Sequence, residues 1–107
     1  MTEDFTLHDL AALIARRAES TADQSYTKSL LDSGTGRIAK KFGEEAFEAV
    51  IAAIEKDQNA LKMEAADVLY HLIVLLQDGG VPLQDVIAEL ARRTRQSGHQ
   101  EKASRSR

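Results

Sequence analysis

Helix-forming residues run through this chain almost without interruption. Proline occurs once, as Pro82, while alanine occurs 16 times and leucine 12 times among 107 residues. Because proline is the residue that breaks a helix most strongly, and alanine and leucine favour one, the sequence predicts an all-α fold. Valine, isoleucine and threonine are scattered among the helix formers and form no alternating strand pattern.

Capping residues and breakers divide the chain into five predicted helices. Thr6 with Asp9 resembles a capping box, Ser25 is a candidate N-cap, and Gly79-Gly80 followed by Pro82 is typical of a helix end. The predicted helices run from about Leu7 to Glu19, Tyr26 to Leu31, Arg37 to Glu55, Leu61 to Asp78, and Leu83 to Arg93. We expect one domain over residues 1–97 and a disordered tail over residues 98–107, which carry charge but no large apolar side chain.

Composition excludes several classes of function. The chain has no cysteine, so disulfides, thiol nucleophiles and cysteine-ligated metals are excluded. A formal net charge of −3 argues against nucleic-acid binding through a basic surface. The longest run of large apolar residues, Leu72 to Leu76, is far shorter than the ~18 residues of a membrane span, and residues 1–4 show no signal-peptide pattern. These features predict a cytosolic protein that binds neither nucleic acid nor membrane.

Acidic residues occupy the apolar face of the third predicted helix. On a helical wheel Glu45 lies inside the face defined by Ile38 and Phe42, and Glu48 lies at its border. Residues three apart on a helix are neighbours, so these two carboxylates converge. Glu44, by contrast, points to the polar side.

The fourth predicted helix shows the same conflict. Glu64, Asp67 and His71 form one stripe, and apolar residues flank it on both sides. Unpaired buried carboxylates cost several kcal/mol or become protonated. A divalent cation shared by Glu45, Glu48, Glu64 and Asp67 removes this cost, and oxygen ligands without cysteine suit Mg²⁺ or Mn²⁺. The alternative is that the acids pair with lysine or arginine on a solvated surface.

Other residues near these acids have two readings. Lys40 and Lys41 precede Glu45 by about one turn, where they either reach the same site or serve only as a solvated surface. Tyr26 either covers a pocket or packs in the core, and core packing is favoured. His71 either orients a ligand or is a hydrogen-bonded core residue, and the core role is favoured.

The third and fourth helices carry more apolar surface than one small chain can cover, which predicts a homodimer completing a four-helix core.

The acidic pairs belong to a longer pattern. Glu45-x-x-Glu48 is followed after fifteen residues by Glu64-x-x-Asp67. This pattern resembles the signature of the all-α nucleoside-triphosphate pyrophosphohydrolases, the MazG-like superfamily. The surrounding segments resemble the phosphoribosyl-ATP pyrophosphohydrolase family over roughly Leu7 to Arg93: Ser25-Tyr-Thr27, Ile38-Ala-Lys-Lys-Phe-Gly-Glu-Glu45, Glu48-Ala-Val-Ile-Ala-Ala53, Glu64-Ala-Ala-Asp-Val-Leu-Tyr-His-Leu72 and Leu83-x-Asp-Val-Ile-x-Glu-Leu90.

The resemblance implies Mg²⁺-dependent cleavage of the α–β phosphoanhydride of phosphoribosyl-ATP, a step of histidine biosynthesis. It implies that the four acids hold the metal, that Lys40 and Lys41 neutralise phosphate oxygens, and that Glu44 or Glu48 is the general base if a carboxylate has that role. Two alternatives are a housecleaning pyrophosphatase for noncanonical nucleotides and a non-enzymatic helical assembly module. A di-iron carboxylate protein is disfavoured, because neither acidic pair contains the expected Glu-x-x-His.

Overall fold

Five helices make up the described part of the chain. The structure is a computed structural model, and it describes residues 4–95. The helices are α1 Leu7–Arg17, α2 Tyr26–Asp32, α3 Thr35–Ile54, α4 Gln58–Gly79 and α5 Leu83–Arg93. The predicted all-α fold is therefore confirmed. The predicted tail, residues 98–107, lies outside the described residues.

Side-chain caps begin three of these helices. Thr6 and Asp9 form the predicted capping box at the start of α1, with both reciprocal bonds at 3.0 Å. Ser25 Oγ accepts the backbone N–H of Lys28 and caps α2. Asp57 caps α4 by accepting the backbone N–H of Ala60 at 3.0 Å. Each cap satisfies a backbone donor that has no partner within the helix.

Both long helices begin earlier than predicted. α3 begins at Thr35 rather than Arg37, because Gly34 adopts φ +96° as its N-cap and Gly36 lies inside the first turn. α4 begins at Gln58 rather than Leu61, because the Asp57 side chain provides an N-cap that the sequence analysis did not assign. The predicted end of α4 is close, since Gly80 closes the helix in the left-handed conformation at φ +73°.

The core lies where α1, α2, α3 and α4 meet. α3 and α4 are joined by a short turn and pack against each other along most of their length. α5 packs against α1 and has no fully buried residue. The buried apolar cluster takes one or two residues from each of the first four helices: Ile14, Leu30, Ile38, Ile73 and Val74.

Large apolar side chains remain on the outside of the two long helices. On α3, Phe47 is 63% and Ile54 is 74% exposed, and Val50 lies between them on the same side. On α4, Met63 and Leu69 are also exposed. The single chain thus leaves uncovered the surface for which we predicted a partner, and dimerisation stays a prediction. Within the described residues no helix is long and apolar enough to span a membrane.

Candidate metal centre

Three carboxylates from the two long helices converge. Glu45 comes from α3, and Glu64 and Asp67 come from α4. One carboxylate oxygen of each lies within 4.8 Å of the other two. Glu45 and Glu64 are half-buried and Asp67 is exposed, so the group is open to solvent on one side. The side-by-side packing of α3 and α4 produces this convergence, and the three-residue spacing of Glu64 and Asp67 keeps both on one face.

The electrostatics of this group favour a cation. Burial raises the pKa of Glu64 above its usual value, and a hydrogen bond with Glu45 raises it further. The negative charges of Glu45, Asp67 and Glu48 act in the same direction. The three carboxylates are therefore held together against their own repulsion. Hard oxygen donors of this kind fit Mg²⁺ or Mn²⁺, because these ions prefer carboxylate and water ligands.

The other two predicted acids are not among the three converging carboxylates. Glu48 is exposed, and its charge contributes to the raised pKa of Glu64. Glu44 is exposed on α3, as its position on the polar side predicts. The structure thus brings together three of the four predicted metal ligands, and the ligand role of Glu48 stays a prediction.

The two predicted lysines differ in their surroundings. Lys41 is half-buried and lies one turn before Glu45 on α3, whereas Lys40 is exposed. Within residues 4–95 the structure shows neither of them in an ion pair. The substrate-binding role of both lysines stays a prediction.

Tyr26 is exposed, so its favoured core role is wrong for the single chain. Its side chain is 59% exposed, while that of the next residue, Thr27, is 2% exposed. Thr27 takes the inward position because α2 begins at Tyr26 and turns Thr27 and Leu30 toward the core. Thr27 Oγ1 lies 2.6 Å from the hydroxyl of Tyr70 on α4. The sequence analysis missed this link, although both residues lie within the segments that carry the family resemblance.

Comparison with known proteins decides between the possible families. Residues 7–94 match the family described as phosphoribosyl-ATP pyrophosphohydrolase, and this range contains all five helices in full. The chain belongs to that family. The resemblance inferred from the motifs is therefore confirmed, and the three converging carboxylates are three of the four acids of those motifs.

Individual relatives of this pyrophosphohydrolase chain match it over nearly its full length. A protein of Rhodopseudomonas palustris named phosphoribosyl-ATP pyrophosphatase 1 is 59% identical over 96% of each chain. Phosphoribosyl-ATP pyrophosphatases of Azorhizobium caulinodans and Agrobacterium fabrum are 57% and 55% identical. The former alignment covers 100% of this chain and 99% of the relative, and the latter covers 94% of each.

His71 of this pyrophosphohydrolase is a buried residue next to the carboxylates. Its side chain is 6% exposed, and Nδ1 lies 2.8 Å from the carbonyl oxygen of Asp67, one turn earlier on α4. The ring is not among the groups that converge with the three carboxylates. His71 is therefore buried and hydrogen-bonded, as the favoured sequence interpretation predicts, and these two observations leave an orienting role open.

Proposed function

We propose that this chain hydrolyses phosphoribosyl-ATP to phosphoribosyl-AMP and pyrophosphate, the second step of L-histidine biosynthesis. The observation that carries the proposal is the convergence of Glu45, Glu64 and Asp67 in a chain that matches the family over residues 7–94. Relatives of the same length that are more than half identical bear the corresponding name. The bond cleaved is the α–β phosphoanhydride.

Glu45, Glu64 and Asp67 would hold Mg²⁺, with Mn²⁺ as a substitute, and Glu48 would complete the set. The donor chemistry supports this proposal, because the group offers only carboxylate oxygens and the chain has no cysteine. A bound divalent cation supplies charge neutralisation for a triphosphate and lowers the pKa of bound water. The negative charges of Glu45, Asp67 and Glu48 near Glu64 further support a cation at this position.

The neighbouring residues have separate roles in the proposal. Lys41, half-buried beside the acids, would neutralise phosphate oxygens, and Lys40 would act from the solvent side. Tyr26, with its exposed ring, would cover the bound substrate. If Glu48 does not bind the metal directly, its exposed carboxylate at the edge of the centre would accept a proton from the attacking water; if it does, Glu44 would be the base.

The active form would be a homodimer. The exposed apolar residues of α3 support this. Phe47, Val50 and Ile54 form a surface that the described part of the chain leaves open to solvent. Two chains that pair their long helices would bury this surface and form a four-helix core. A cytosolic location stays a prediction from the sequence.

A substrate comparison tests the function. Pyrophosphate release is measured with phosphoribosyl-ATP, ATP and dUTP in parallel, with Mg²⁺, with Mn²⁺ and after chelation. We expect turnover only with a divalent cation and a clear preference for phosphoribosyl-ATP. A preference for dUTP would favour the housecleaning alternative, and turnover that survives exhaustive chelation would contradict the metal assignment. Glu55→Gln, an exposed acid at the end of α3, is the matched control for variants of the centre.

A further inference from the structure

The two ring nitrogens of His71 have different surroundings. Nδ1 lies 2.8 Å from the carbonyl oxygen of Asp67, and because a carbonyl oxygen only accepts, Nδ1 carries the proton. Nε2 is buried and has no hydrogen-bond partner within the described residues. The ring is therefore anchored at Nδ1, and Nε2 is an unpaired polar atom in the interior.

Packing alone does not account for a histidine at this position. A buried acceptor without a partner destabilises a fold, and an apolar side chain of similar size avoids that cost. The ring contacts Tyr70 edge-on, with centroids 5.0 Å apart and an interplanar angle of 88°. Ile73 and Val74, which follow closely on α4, are buried and apolar. Leucine would suit such an environment at least as well as histidine.

The anchored nitrogen contacts the turn that carries a proposed metal ligand. In a helix the side chain leans toward the N-terminus, so the His71 ring covers the turn of α4 that begins at Asp67. The Asp67 carbonyl already accepts the backbone N–H of His71 in the helical ladder. A second donor on the same oxygen restrains the peptide group next to the Asp67 side chain.

We propose that His71 is a positioning residue for Asp67: its Nδ1–H holds the Asp67 turn in the orientation in which the carboxylate meets Glu45 and Glu64. This inference rests on the proposed metal centre and deepens it. The inference predicts that an apolar replacement of the ring weakens metal binding, because the Nδ1 bond that orients the ligand is lost. The same replacement should not lower the stability of the fold, because the unpaired Nε2 is removed as well.

Calorimetric titration of Mn²⁺ alone into the metal-free protein measures metal affinity and tests the proposal without any measurement of turnover. His71→Leu fills the core but removes the donor, whereas His71→Asn can place an amide N–H near the position of Nδ1. We expect His71→Leu to bind Mn²⁺ about tenfold more weakly, since residues that orient metal ligands contribute about 10–100-fold in affinity. We expect His71→Asn to stay within about threefold of the wild type. His8→Leu, at an exposed position on α1, is the control and should bind normally.

Thermal unfolding in the presence of chelator provides the second readout. His71→Leu should melt at the same temperature as the wild type or higher. Wild-type affinity in His71→Leu, or a loss in His71→Asn as large as in His71→Leu, would overturn the inference. If His71→Leu does not fold, ¹⁵N NMR of the wild type decides, because a ring protonated on Nε2 would contradict the proposal. Failure of the wild type itself to bind Mn²⁺ would overturn the metal centre as well, so the two failures are distinguishable.

Discussion

Thr27 Oγ1 lies 2.6 Å from the hydroxyl oxygen of Tyr70, which joins the short helix α2 to the middle of α4. Thr27 is buried, and Tyr70 packs against the core. One hydroxyl donates and the other accepts. The contact ties α2 to α4 at the residue before His71, next to the turn that carries Asp67.

Removing one partner of this pair should destabilise the fold. Thr27→Val keeps the shape but leaves the partly buried Tyr70 hydroxyl without its partner, so we expect a loss of about 1–3 kcal/mol in the free energy of unfolding. Tyr70→Phe should cost a similar amount, and the double variant should cost little more than either alone. Urea unfolding measures all three. Tyr26→Phe, at an exposed ring, is the control and should leave the free energy of unfolding unchanged. If the losses caused by Thr27→Val and Tyr70→Phe simply add in the double variant, the two hydroxyls are not directly bonded.

Neutralising Glu64 should change how the stability of the metal-free protein depends on pH. Its pKa is raised in the folded state, so between the unfolded value near 4.5 and the higher folded value the folded chain binds more protons. The contribution of Glu64 to stability therefore falls as the pH rises through that window. Glu64→Gln should match the wild type at pH 4 and be more stable at pH 7 in chelator. Urea unfolding across this range measures the difference, and a constant offset would contradict the assignment.

The acids of the centre should be required for turnover. Glu45→Gln, Glu64→Gln and Asp67→Asn should each lose most of the pyrophosphate release, because each removes a proposed ligand. Their melting temperatures in chelator should equal or exceed that of the wild type, since each change reduces repulsion among the carboxylates. Near wild-type turnover in any of them would remove that residue from the proposed ligand set.

Glu89, on α5, should stabilise the protein in a pH-dependent manner. Hydrogen bonds from Arg92 and Arg93 lower the pKa of Glu89 to about 2. A lowered pKa contributes stability above the unfolded value, and the contribution is lost as the pH falls toward 2. Glu89→Gln should therefore lower the melting temperature slightly at pH 7 and make no difference near pH 2. Glu19→Gln, at an exposed acid after α1, is the control and should show no such trend.

One surface lysine should be replaceable by glycine with a gain in stability. Lys56, in the turn between α3 and α4, adopts φ +59°, a left-handed conformation that costs a residue with a side chain about 1 kcal/mol. Lys56→Gly should stabilise the fold by up to that amount in urea unfolding. Lys62→Gly, at an exposed position inside α4, should destabilise it by about 1 kcal/mol. Equal effects of the two changes would mean that the turn conformation is not the cause.

The proposed dimer should depend on the exposed apolar surface of α3. Phe47→Lys or Ile54→Lys should give a monomer in light scattering, while the buried cluster stays intact because both side chains are mainly exposed in the single chain. The wild type should melt at a higher temperature as its concentration rises, and the variants should lose this dependence. Leu90→Lys, which alters an exposed leucine on α5, should remain dimeric. Dissociation of that control would extend the interface beyond α3 and α4.

Local chemistry made most of the fold predictable, and the errors in the starts of α3 and α4 come from N-caps that the sequence analysis did not assign. Thr6 with Asp9 and the glycines after Asp78 act within one turn, so their roles follow from the sequence. α3 begins two residues before its predicted start, because the Gly34 backbone rather than a side chain provides its N-cap.

The candidate site was predictable to the same extent. The acid spacing predicted the convergence of Glu45 with Glu64 and Asp67, since helical periodicity places these acids on facing sides. The inward turn of Thr27 instead of Tyr26 depends on how α2 docks against α4, and no periodicity within a seven-residue helix determines that.

The three converging carboxylates all come from two helices that are consecutive in the chain and joined by a short turn. Contacts between neighbouring segments close small loops and form early, because little chain entropy is lost. The acids can therefore meet before α1 and α5 have docked. A cation present during synthesis would then favour the hairpin of α3 and α4, so the cation that we propose for the metal centre would also guide the order in which the chain folds.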